Sequence, residues 1–186
     1  MRQTQEWIKR IEIWIDELKT QCYYKLQDIE FEGFTTKDHL SYDEAIRQDF
    51  TPMKAGTMWG EKWEYGWFRT RITIPEEGKG KRIFLCPRVG GEMLVWVNGV
   101  ISGSIDLQHH GITLARKAIP GTTYEIVLES YAGHGPRLEN GGPYPPERIP
   151  VPEPPKHQVT VESSHFGVWN EDAFMLTMDS DALYQL

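Results

Sequence analysis

EMLVWVNGVIS, residues 92–102, decides the fold. An apolar run rich in β-formers reaches Asn98–Gly99, and a second run follows at once. A two-residue type I′ hairpin needs positive φ at both central positions, and Asn–Gly meets that need most readily. Working outward, WFRTRITIP (67–75) alternates: Phe68, Ile72 and Ile74 fall on one face, Arg69, Arg71 and Thr73 on the other. In GTTYEIVLESYAG (121–133), Tyr124, Ile126 and Leu128 alternate with Glu125, Val127 and Glu129. RIFLC (82–86) and HQVTVESSHFGVWN (157–170) add further strand-like runs. Short strands separated by glycine-rich turns predict a mainly β chain, an antiparallel β-sandwich of jelly-roll type.

Before the strands, Trp7, Ile8, Ile11, Trp14, Ile15 and Leu18 share one face of a 3.6-residue period, predicting an amphipathic N-terminal helix with Thr4 as its cap. Residues 22–58 have no clean period and read as an irregular crossing, with a short strand around KLQDIEFEGF and a helical turn near 43–48. The sandwich is expected over 59–170. Within it, residues 137–156 contain seven prolines and form a stiff excursion. Residues 171–186 read as the start of a linker helix, with Asp179, Ser180 or Asp181 as its cap.

Composition narrows the function. The net charge is −7 over 186 residues, with no basic block, so neither nucleic acid nor an anionic membrane surface is an expected partner. No apolar stretch is long enough to span a bilayer, and MRQTQEW lacks the apolar core of a signal peptide. Cys22 and Cys86 form no spaced pattern, which fits a reducing cytoplasm. Seven tryptophans, eight tyrosines and seven phenylalanines serve either a large core or a surface that stacks on sugars or another domain.

No phosphate loop, dinucleotide fingerprint, nucleophile elbow, HExxH or CxxC occurs. DLQHHG (106–111) places Asp106, His109 and His110 in one loop. Adjacent histidines in extended chain diverge, and His39, His134, His157 and His165 add no ligand spacing, so no metal site is assigned. Ser163, Ser164 and His165 read as a strand-edge polar cluster. Glu61, Glu64, Glu92, Glu125 and Glu129 read mainly as the wet side of a sheet. Loop acids permit a structural calcium, but no carboxylate-dense loop specifies one.

Trp59–Gly60, Trp63, WFRTRITIP, GEMLVWVNGVISGSIDLQHHG and YEIVLESYAGHG follow one another in an order that resembles the N-terminal sandwich of family-38 glycoside hydrolases, the α-mannosidases. The V-N-G hairpin pattern is shared with galactose-binding-like sandwiches of other glycosidases. The ESYAGHG run (129–135) and the preceding helix resemble the bacterial and cytosolic or vacuolar enzymes. The resemblance extends over about residues 5–186 and is weakest in 22–55. It implies a later catalytic domain with a His-x-Asp metal-binding element, an aspartate nucleophile and a divalent metal, usually zinc. No His-x-Asp occurs in these 186 residues, so no catalytic residue and no cofactor are assigned here.

The expected role is a non-catalytic accessory domain that packs on its own catalytic domain and shapes the cleft of a retaining α-mannosidase. Ligand or domain-interface candidates are Trp67, Arg69, Asp106, His109, His110, Tyr131 and His134. Trp7, Trp14 and Ile15 are the helix-face interface candidates. Mannosides or glycans and a homo-oligomer are further expected partners. The alternative is a free-standing carbohydrate-binding module. A cupin-like metalloenzyme would need a histidine cluster that the sequence lacks.

Overall fold

The structure, a computed structural model, describes residues 2–135 and 155–185. The expected proline-rich excursion at 137–156 lies outside the described residues, apart from its last two positions. Helix α1 (Arg2–Gln21) leads into β1 (Tyr23–Ile29), β2 (Phe31–Thr36), the short α2 (Tyr42–Ala45), β3 (Thr51–Met53) and β4 (Met58–Trp59). Then come β5 (Tyr65–Thr73), β6 (Arg82–Cys86), β7 (Glu92–Val97), β8 (Val100–Ile105), β9 (Ile112–Ala115) and β10 (Thr123–Tyr131). Strands β11 (Val159–Thr160) and β12 (Ser164–Trp169) and helix α3 (Glu171–Tyr184) complete the described chain.

One sheet has the order β3-β2-β5-β10-β7-β8 and the other β1-β12-β6-β9, with every pair antiparallel. Period-two alternation sends Phe68, Ile72, Val95, Ile126 and Leu128 from the first sheet onto Ile83, Leu85 and Phe166 of the second. The β7–β8 turn matches its expected chemistry: Asn98 has φ 52° and Gly99 φ 77°. The Asn98 side chain also accepts the Glu125 N–H at 2.9 Å, tying the hairpin to β10.

The structure corrects the reading of residues 22–58. They contribute β1, β2 and β3 to the two sheets, so the sandwich begins at Tyr23 rather than at residue 59. Only residues 37–50 cross a surface. They lie over the outer face of the six-stranded sheet and seal a second core of Ala45, Trp67, Trp96 and Val127, flanked by Phe34, Leu40, Tyr42 and Phe50. Ser41 caps α2 with a complete capping box through Glu44, which fixes the start of that crossing.

Both helix starts also differ from expectation. Helix α1 begins at Arg2, ahead of Thr4. Helix α3 is capped by Asn170, whose side chain accepts the Ala173 N–H at 3.2 Å, rather than by Asp179–Asp181. Glu171 and Asp172 in its first turn suit the positive end of the helix dipole. Helices α1 and α3 run antiparallel. The Tyr184 hydroxyl donates to Glu12 at 2.6 Å, and the Cys22 thiol lies 3.7 Å from the Thr177 hydroxyl. Both cysteines are free thiols.

Candidate functional site

Strand register arranges the outer face of the six-stranded sheet in rows. One row runs Phe34–Trp67–Glu129–Leu94–Ser104 across β2, β5, β10, β7 and β8. The next runs Thr36–Tyr65–Tyr131–Glu92. Among the described residues, the crossing segment covers the middle of this face and leaves the sheet end near Tyr65 and Tyr131 uncovered. There a cleft of about 390 Å³ is lined by Tyr65, Glu92, Leu94, Ser104, Asp106, Glu129 and Tyr131, with Met93 and Ile105 completing its wall. The rings of Tyr65 and Tyr131 lie 5.2 Å apart, tilted by 35°. His39 packs edge-on against Tyr65 at 5.4 Å.

Glu129 has the most unusual setting. Trp67 and Leu94 are its cross-strand neighbours, and its side chain is only 17% exposed. His39 Nε2 stands 3.9 Å away and is itself mostly exposed. Burial raises the Glu129 carboxyl above its ordinary range, against a smaller opposing pull from His39.

Asp106 occupies the rim of the cleft and spends its carboxylate on its own loop. It accepts the backbone N–H groups of Gln108 and His109, each at 2.7 Å, and both its oxygens lie 3.1 Å from His109 Nδ1. Those bonds bring its pKa down to about 2. DLQHHG is therefore an Asx-type turn that Asp106 organises. His109 and His110 are both exposed, and His109 packs back on Asp106. Among the described residues, no group of three His, Cys, Asp or Glu side chains is placed to hold a metal ion.

Other candidates separate in space. Trp67 is fully buried in the second core, so it supports the site from beneath and offers no platform to a ligand. Arg69 pairs with Glu32 at 3.0 Å and lies 4.2 Å over the Phe50 ring, in a separate groove of about 660 Å³ beside Tyr42 and Arg71. Arg71 there pairs with Glu125. His134 lies at the open sheet end and stacks on Trp63 at 5.4 Å with a 20° interplanar angle. Trp63 has φ 65°, a conformation a bulky residue rarely adopts, and its N–H donates to Gly133 at 3.0 Å.

Sequence reasoning missed Tyr65, Glu92, Ser104, His39 and Trp63 as site residues, and it placed Glu129 on a wet sheet face. The available signal was Val127, an apolar residue in phase with Glu125 and Glu129, which marks that face as half covered.

On the helices, Trp7 is 62% and Trp14 49% exposed, while Ile15 is buried. The expected six-residue stripe therefore splits: Ile15 and Leu18 are packed away, and Trp7, Ile8, Ile11 and Trp14 remain open. Helix α3 adds exposed Met175, Leu176, Met178 and Leu183.

This is a jelly-roll sandwich with a partly covered outer sheet and an acid-and-tyrosine cleft at one end. The family model for "Alpha-mannosidase, jelly roll domain" matches residues 24–162, and the chain belongs to that family. Human "Alpha-mannosidase 2C1" is 42% identical over 67 residues, 36% of this chain and 6% of that protein. "Alpha-mannosidase G" of Dictyostelium discoideum is 33% identical over 61 residues, 33% of this chain and 6% of that protein. The matched stretch is thus a small part of each relative. Among solved structures, a β-glucuronidase from Ruminococcus gnavus in complex with D-glucuronic acid aligns with a TM-score of 0.53 at 14% identity. It covers 80% of this chain and 31% of that one, and the likeness is one of fold. No described helix is long and apolar enough to cross a membrane.

Proposed function

We propose that this chain is a non-catalytic accessory domain of an α-mannosidase, seated on the catalytic portion of that enzyme. The observation that carries the reading is the open apolar face of the helix pair, Trp7, Ile8, Ile11 and Trp14 with Met175, Leu176 and Met178. Large apolar side chains left exposed in this number on two packed helices mark an interface. Its occupant is the catalytic portion because the relatives are far longer than the stretch they share with this chain. The sandwich would shape one wall of the substrate cleft.

The chemistry itself would be hydrolysis of terminal α-mannosides with retention, through two carboxylates outside these 186 residues. A divalent metal, zinc, held in that catalytic portion would orient the sugar hydroxyls. The free thiols of Cys22 and Cys86 fit a cytoplasmic protein.

The test is the complete protein, parent and Trp7→Glu/Trp14→Glu, assayed on p-nitrophenyl α-mannoside with the released anomer followed by NMR. The reading predicts α-mannose as the first product, and an activity or melting temperature lowered by the double substitution. A complete protein inert toward α-mannosides would overturn the enzyme assignment. An unchanged double variant would overturn the helix-face interface.

A further inference from the structure

We propose that the cleft between Tyr65, Tyr131, Glu92, Glu129 and Ser104 is a binding site for one neutral pyranose residue. The inference stands on the chemistry of the cleft and does not depend on where the catalytic residues of the family lie.

Its size sets the scale. A cleft of about 390 Å³ is at the small end of ligand sites, suited to one sugar ring rather than an extended glycan. Its walls are of two kinds. The tilted Tyr65–Tyr131 pair and Leu94 offer apolar surface to the C–H face of a ring. Glu129 and Glu92 supply carboxylate acceptors, and Ser104 a hydroxyl that donates or accepts. Vicinal ring hydroxyls are donors that such carboxylates bind through charge-assisted hydrogen bonds.

Glu129 gives the site its direction. An acid set between Trp67 and Leu94, with His39 as its one charged partner among the described residues, lacks the solvation a surface glutamate enjoys. A hydroxyl donor arriving in the cleft restores it. The same acids repel a uronate or a phosphorylated sugar, so the site discriminates by charge.

The experiment is NMR titration of this chain with methyl α-D-mannopyranoside, methyl β-D-glucopyranoside and D-glucuronate. The neutral glycosides should bind saturably with a dissociation constant on the order of 1 mM, perturbing amides of β7, β8 and β10. D-Glucuronate should bind at least tenfold more weakly. Glu129→Gln should weaken the neutral sugars at least tenfold, whereas Arg71→Ala, in the separate groove, should leave them unchanged. Thermal melts establish that each variant is folded. Lack of saturation by roughly 20 mM, equal binding of glucuronate, or an unaffected folded Glu129→Gln would each overturn the site. Hydrolysis by the complete protein bears only on the accessory-domain reading, so the two proposals fail separately.

Discussion

Glu129 stands directly across the β5–β10 ladder from Trp67, a carboxylate held against a fully buried indole. The opposite neighbour, Leu94, is no better a partner for charge. Burial raises the folded-state pKa above the unfolded one. Between those two values the folded state binds more protons, so ionisation costs stability as pH rises from about 4.5 through the raised value. Glu129→Gln is isosteric and removes that cost. It should melt above the parent at pH 7, and the difference should close toward pH 4. Thermal melts across that range check it.

Asp106 has the opposite sign. Its two backbone N–H bonds and the His109 contact favour the carboxylate and lower its pKa to about 2. Its contribution is therefore complete above the unfolded value of 3.8 and is lost as pH falls toward 2. Asp106→Ala should be less stable than the parent at pH 7, with the gap closing under acid. Asp106→Asn keeps an acceptor for the turn and should fall between the two. Melting curves from pH 7 to pH 2 distinguish these outcomes.

What the sequence made legible was local. Alternation in β5 and β10 and the Asn98–Gly99 hairpin follow from period and turn chemistry, and both appear as read. The short strand expected around KLQDIEFEGF is two strands, β1 and β2, and a bulge between Lys25 and Gln27 blurs the period of the first. Alternation did not define β2 as a strand of its own because both its faces are covered, Phe31 by the main core and Phe34 by the second. Trp67 shares a face with Arg69 and Arg71, so alternation assigns it to solvent, and only the distant segment 37–50 buries it. Glu129 was hidden by the same long-range cover. Asp106 and Tyr131 were legible as residues of one end of the sandwich, but not that Asp106 spends its charge on its own turn.

Gly111 closes the Asp106 loop against β6. A methyl group there would lie 2.2 Å from the Leu85 carbonyl oxygen and 2.6 Å from the Phe84 ring. Backbone on one side leaves no side chain free to yield. Gly111→Ala should destabilise the chain by about 3 kcal/mol, within the range of overpacked or strained core sites. Leu107, at the exposed tip of the same loop, is 92% accessible, and Leu107→Gln should change stability by less than about 0.5 kcal/mol. Urea unfolding of both variants measures the contrast.

Helix α1 carries two populations of apolar residues that one helical period cannot separate. Ile15 and Leu18 are buried, whereas Trp7 and Trp14 meet solvent. The antiparallel contact with α3, anchored at Glu12–Tyr184 and Cys22–Thr177, explains the division, because it occupies only part of the stripe. Ile15→Ala removes buried methyl groups and leaves a cavity, costing about 2–4 kcal/mol. Trp7→Glu and Trp14→Glu remove side chains that are 62% and 49% exposed, and Trp7 also loses the Arg10 guanidinium 5.3 Å over its ring. Each should shift stability by no more than about 1 kcal/mol. If the open tryptophans serve an interface, the order reverses in the complete protein: Trp14→Glu should then destabilise at least as much as Ile15→Ala. Urea titrations of the chain and of the complete protein, side by side, separate a helix that merely tolerates exposed indoles from one that uses them.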